Sequence, residues 1–120
     1  MARGRILIVE DEWLLGDTMA MMVRQEGYEV IGPVATVDAA LALIEKDMPD
    51  MALLDVSLGE GPSFPVARLL AANRVRFAFL TGFSRRTLPA EFERSRIVTK
   101  PISAGELKTV IAELLPAPAP

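Results

Sequence analysis

The sequence contains neither cysteine nor histidine. Without cysteine the chain has no disulfide framework, no thiol nucleophile and no thiolate metal site. Without histidine it has no Ser-His-Asp chemistry, no imidazole ligand for a metal and no phosphohistidine of its own. Positive charge is also scarce. Thirteen Lys and Arg stand against 16 Asp and Glu, a net charge of -3, which leaves no basic footprint for nucleic acid. Long apolar runs are missing as well. The opening Met1-Ala2-Arg3-Gly4-Arg5 is followed by only four apolar residues before Glu10, too few for a signal-peptide core, and no run approaches a membrane span. A cytoplasmic, reducing setting with no membrane and no nucleic-acid partner is expected.

What is present suffices for one globular domain. The chain has 120 residues, 51% hydrophobic and 24% charged, enough for a single core without staples. Its centre is Met51-Ala52-Leu53-Leu54-Asp55, an apolar run that suits a strand buried on both faces and ends on a carboxylate. A carboxylate there lies at the end of a strand where open α/β sheets place their ligand sites, although Asp alone is also a common turn cap.

The other segments repeat that form. Ile6-Leu7-Ile8-Val9 is a second apolar run and ends in Glu10-Asp11-Glu12. Leu15, Met19, Met22 and Val23 then recur at helical spacing, with Gly27 placed as a C-cap and the methionines read as core filler. Residues 28–31 make a short strand expected to stop at Gly32-Pro33. Thr36 caps a helix with Val37, Ala40, Leu41 and Ile44 on its apolar face, ended by Pro49. Beyond Asp55 comes a loop with Gly59 and Gly61. Ser63 and Pro65 then start a helix that turns Val66, Leu69 and Leu70 inward. Phe77-Ala78-Phe79-Leu80 is a fourth strand running into Thr81-Gly82, and Ile97-Val98 a fifth running into Thr99-Lys100-Pro101. Residues 83–96 are expected to be a short or irregular helix. Ser103 and Glu106 have capping-box spacing before a stripe of Leu107, Val110, Ile111 and Leu114. The expected organisation is a domain over residues 1–115 and a disordered Pro/Ala tail over 116–120. Alternating strands and helices call for a parallel sheet covered on both faces.

If the strands are parallel, Glu10, Asp11, Asp55, Thr81 and Lys100 leave different strands yet share one rim. Each has a plain reading alone: an acidic helix entry, a turn cap, a β-branched strand residue, a surface charge. Three carboxylates together repel one another, so the cluster calls for a hard cation with oxygen ligands, above all Mg²⁺. Such an ion could hold a phosphoryl group against one carboxylate while Thr81 and Lys100 bond its remaining oxygens.

The pieces Val9-Glu10-Asp11-Glu12, Leu53-Leu54-Asp55, Leu80-Thr81-Gly82 and Lys100-Pro101, with their intervals, resemble the receiver domains of two-component response regulators over residues 5–115. The resemblance implies a doubly wound, flavodoxin-like α/β fold whose five parallel strands run in the order 2-1-3-4-5. It makes Asp55 the phosphoacceptor for a histidine kinase's phosphohistidine. Asp11 and Asp55 become direct Mg²⁺ ligands, the Ser57 carbonyl a third, and Glu10 a ligand through water. Thr81 becomes the switch hydroxyl, Lys100 the cationic clamp, and Lys100-Pro101 a cis bond. Phe77-Ala78-Phe79-Leu80-Thr81-Gly82-Phe83 is further similar to the Phe-x-Phe-Ala-Thr-Gly-Tyr signature of a single-domain (FATGUY) subfamily known mostly from alphaproteobacteria and associated with HWE-type kinases. Leu80 and Phe83 depart from it.

The expected role is a stand-alone phosphoacceptor, not an enzyme on other substrates, signalling through protein contact or onward phosphotransfer. The alternative is a non-phosphorylated adaptor with the same fold. An Mg²⁺-dependent aspartyl phosphatase usually needs an acid where Ser57 stands, and a nucleotide or flavin binder would need a glycine-rich phosphate loop that is missing. Many receivers carry Tyr or Phe three residues before the lysine. Here that residue is Ile97, so Phe83 or the irregular stretch after it is expected to carry the readout of Thr81.

Overall fold

The computed structural model describes residues 4–82 and 88–115. The Phe83 position and the 116–120 tail therefore lie outside the described residues. Five parallel strands form one sheet: β1 (Arg5–Val9), β2 (Glu29–Val34), β3 (Met51–Asp55), β4 (Arg76–Thr81) and β5 (Arg96–Thr99), in the order β2-β1-β3-β4-β5. The expected strand order is the observed one. Among the described residues four α-helices cover it: α1 (Trp13–Gln25), α2 (Val37–Lys46), α3 (Phe64–Ala72) and α4 (Ala104–Leu114).

Burial explains the apolar runs. All five residues of β3 are buried, and Ile6, Leu7, Ile8 and Val9 of β1 are wholly inaccessible. Successive strand side chains alternate between two cores. Ile6, Ile8 and Leu53 pack with Met19 of α1 and Leu107, Val110 and Ile111 of α4. Leu7, Val9 and Leu54 pack with Ile44 of α2, Leu70 of α3 and Phe79 of β4. The helix signals act as their chemistry requires. Thr36 Oγ1 accepts from the Ala39 N–H at 3.1 Å and Ser103 Oγ from the Glu106 N–H at 3.1 Å. Gly27 follows α1 with φ 92°, and its N–H bonds the Arg24 carbonyl. Ser63 departs from this pattern. It precedes α3, but its buried Oγ makes no capping bond and has no partner among the described residues.

Two expectations need correction. Gly32-Pro33 does not stop β2, which continues through both residues to Val34 with a register shift between Leu7 and Val9. β2 is an edge strand, where a missing N–H is tolerated. Gly32 has φ 93°, and a Cβ there would lie 2.9 Å from the Ile8 carbonyl oxygen, so the irregularity requires glycine. The loop after Asp55 is instead a small antiparallel hairpin in which Ser57 and Leu58 pair with Pro62 and Gly61. Within 83–96, where a short or irregular helix is expected, the described part holds one short 3-10 turn, Ala90–Phe92.

Candidate functional site

Glu10 and Asp11 follow β1, Asp55 closes β3, Thr81 closes β4, and Lys100 follows β5, so the parallel register brings all five to the carboxyl rim. Glu10, Asp55 and Thr81 are 2%, 3% and 7% exposed, whereas Asp11 stands in solvent. Carboxylate oxygens of Glu10, Asp11 and Asp55 all lie within 4.8 Å of one another. Asp11 and Asp55 border an open cavity of about 680 Å³ whose wall also includes Ser57, Leu14, Leu15 and Pro101.

Lys100 bridges the two buried acids. Its Nζ donates to Asp55 Oδ2 at 2.9 Å and to Glu10 Oε1 at 3.0 Å, and Glu12 Oε1 is 3.9 Å away. The sequence reading placed this ammonium on phosphoryl oxygens; in the structure it lies against carboxylates. Its main-chain N–H donates to the Thr81 carbonyl at 2.7 Å, which fastens the lysine to the end of β4. The Lys100-Pro101 bond is cis, as the resemblance implied. The Asp55 Oδ1 accepts from the Ser57 N–H at 3.1 Å, turning the chain back beside the acid.

Burial governs the electrostatics. Desolvation, with the neighbouring Asp55 carboxylate, pushes Glu10 from 4.5 up to about 8, overcoming the pull of Lys100. For Lys100 desolvation works downward, but its hydrogen bonds to Asp55 and Glu10 win and raise its pKa above the ordinary lysine value. Glu10 Oε2 is buried and has no hydrogen-bond partner among the described residues. An orphaned buried oxygen among clustered carboxylates matches the needs of a hard cation bound through oxygen, so these residues fit Mg²⁺.

The structure thus brings together Glu10, Asp11, Asp55, Ser57 and Lys100, with Thr81 closing the neighbouring strand. Sequence reasoning missed the cavity wall and the hairpin. Leu14 is 65% exposed, and its place off the Leu15, Met19, Met22 and Val23 stripe is the sequence signal that could have drawn notice to it. A Cβ on Gly59 would lie 3.4 Å from Asp11 Oδ2, so the hairpin turn approaches the site closely.

A family model for the response regulator receiver domain matches residues 6–112. The chain is 34% identical over 110 residues to the transcriptional regulatory protein PdtaR of Mycobacterium tuberculosis, which covers 86% of this chain and 52% of that protein. It spans about half the length of the curated relatives it matches, the CreB protein of Escherichia coli among them at 32% identity over 96% of the chain and 52% of CreB. Among solved structures, SdrG of Sphingomonas melonis Fr1 superposes with a TM-score of 0.83 at 36% identity, covering 96% of this chain and 98% of that one. The receiver domain of Erythrobacter litoralis PhyR gives 0.85 at 27% identity, over 100% and 96% of the two chains.

Proposed function

The chain belongs to the response regulator receiver family, a family of signalling domains, and from that membership we propose that Asp55 is its phosphoacceptor. The observation that carries this is one buried carboxylate, 3% exposed, closing the central strand with a lysine ammonium 2.9 Å away and two further acids beside it. An Asp55 oxygen attacks the phosphorus of a sensor kinase's phosphohistidine. The new O–P bond forms as the P–N bond breaks, and the imidazole leaves with the electron pair of that bond. In-line transfer asks for positioning and charge neutralisation more than for covalent assistance. Lys100 already sits against Asp55 and meets the incoming phosphoryl oxygens with its ammonium, while Thr81 supplies a hydroxyl from the adjacent strand end. Asp11, Asp55 and the Ser57 carbonyl would hold Mg²⁺, with Glu10 acting through water, and the ion would supply further neutralisation of the transferring group.

The domain in this role is residues 1–115, acting in the cytoplasm, with slow hydrolysis of the acyl phosphate and output by protein contact or onward phosphotransfer. The run Phe77-Ala78-Phe79-Leu80-Thr81-Gly82 supports membership of the FATGUY group and an HWE-type kinase as donor.

The test is intact mass after incubation with acetyl phosphate and Mg²⁺. One phosphoryl adduct is expected, absent in Asp55→Asn and absent in chelator. An adduct that persists in Asp55→Asn removes Asp55 from the role, and one that forms equally in chelator removes the dependence on a divalent ion. The beryllofluoride-activated form solved for SdrG makes the same mimic a practical second probe here.

A further inference from the structure

The hairpin that follows Asp55 touches the site at two points and α2 at a third. At its base the Ser57 N–H donates to Asp55 Oδ1 at 3.1 Å. Leu58 is buried in the core between the sheet, α2 and α3, which anchors one arm. At the tip Gly59 is so close to Asp11 that a Cβ there would lie 3.4 Å from Oδ2. The next residue, Glu60, reaches away from the site, and its Oε1 accepts from the Val37 N–H at 2.8 Å.

Val37 is the first residue of α2, where N–H groups have no partner inside the helix. Thr36 already satisfies one of them, through Ala39. Glu60 supplies a second acceptor from 23 residues away, and its negative charge suits the positive end of the helix. A glutamate at an exposed hairpin tip has no local reason to hold one conformation, because an immobilised long side chain loses rotamer freedom. Here the helix end fixes it, and it in turn fixes the turn between Asp11 and α2.

We infer that Glu60 is a positioning residue for the metal-binding side of the phosphoacceptor site. By fastening the Gly59-Glu60 turn to the start of α2, it holds Ser57 and Gly59 in place relative to Asp55 and Asp11. This rests on the reading of Asp11, Asp55 and Ser57 as the holders of Mg²⁺. Glu60 touches none of the reacting atoms and acts only through the hairpin.

The test is an Mg²⁺ titration of the full chain followed by amide chemical shifts over residues 55–60, with thermal unfolding recorded beside it. Glu60→Ala is expected to weaken Mg²⁺ binding about three- to tenfold, the scale of one ordinary hydrogen bond lost at an exposed turn. Val37→Pro removes the donor instead of the acceptor. Proline is tolerated at the first position of a helix, and Thr36, at φ -131° and ψ 157°, already has the extended backbone required before proline. It is expected to weaken Mg²⁺ to the same extent, and the double variant no further than either single one. Glu60→Gln keeps an acceptor oxygen and is expected to recover most of the affinity. In the wild type, the Val37 amide is expected to shift as Mg²⁺ is added. Variants that lose thermal stability but bind Mg²⁺ as tightly as wild type would overturn the inference, as would strictly additive losses in the double variant. A wild type whose residues 55–60 ignore Mg²⁺ altogether overturns the metal assignment itself, and the inference with it.

Discussion

Glu10 is a carboxyl group placed where ionisation is costly, wholly enclosed by the core below and facing Asp55. Its pKa of about 8 in the folded chain, against 4.5 when free, gives a definite sign to the effect of pH. Between those two values the folded protein keeps a proton that the unfolded chain has released, so stability falls as pH rises. The slope is at most about 1.4 kcal/mol per pH unit for one proton. Lys100 adds nothing to this window. Its raised pKa gives stability that is complete below the ordinary lysine value and lost only above it. Urea unfolding in chelator is therefore expected to show lower stability at pH 8 than at pH 6, and Glu10→Gln is expected to flatten most of that difference. An unchanged slope in Glu10→Gln would assign the proton to another group.

Four phenylalanines tie α3, β4 and the 3-10 turn into one element-scale unit. Phe77 and Phe79, two apart on β4, lie with ring centroids 5.2 Å apart, and Phe92 is 5.5 Å from Phe79 and 5.7 Å from Phe64 of α3. Phe92 is 3% exposed, and the Arg68 guanidinium lies 5.9 Å over its ring while its Nε bonds Glu91 at 2.7 Å. Ile97 packs half-buried against the same cluster. Phe92→Ala is expected to cost about 3–5 kcal/mol of unfolding free energy in urea, the usual scale for an emptied aromatic site. Ile97→Ala, half-buried, is expected to cost clearly less. Equal costs would mean that Phe92 does not hold the turn. The sequence offered little sign of this role. Phe92 stands between Glu91 and Glu93 in a stretch without helical period, and its partners lie at least 13 residues away in the chain. The same reason hides Glu60, whose bond to Val37 joins two separate elements. By contrast, β1, β3 and β4 were readable because burial on both faces demands continuous apolar runs, and Asp55 because it ends one. Gly32-Pro33 misled because both residues punctuate chains locally, while the parallel pairing with β1 carried the strand past them.

For the whole molecule, what matters is which strands carry the acids and which carries the cation. Glu10, Asp11 and Asp55 follow or end β1 and β3, which have a neighbour on each side, and Lys100 follows β5, four residues long and at the sheet's edge. Edges open locally at lower free energy than centres. In native-state hydrogen exchange the amides of β1 and β3 are expected to exchange only with global unfolding, and those of β5, with the Lys100 N–H, several orders of magnitude faster. Equal protection in all three strands would contradict this. The outcome is a molecule whose anions sit on its most persistent part and whose cation rides on the part that breathes first. Its ammonium can depart with a frayed edge while the carboxylates stay fixed, so the two halves of the site loosen on different timescales.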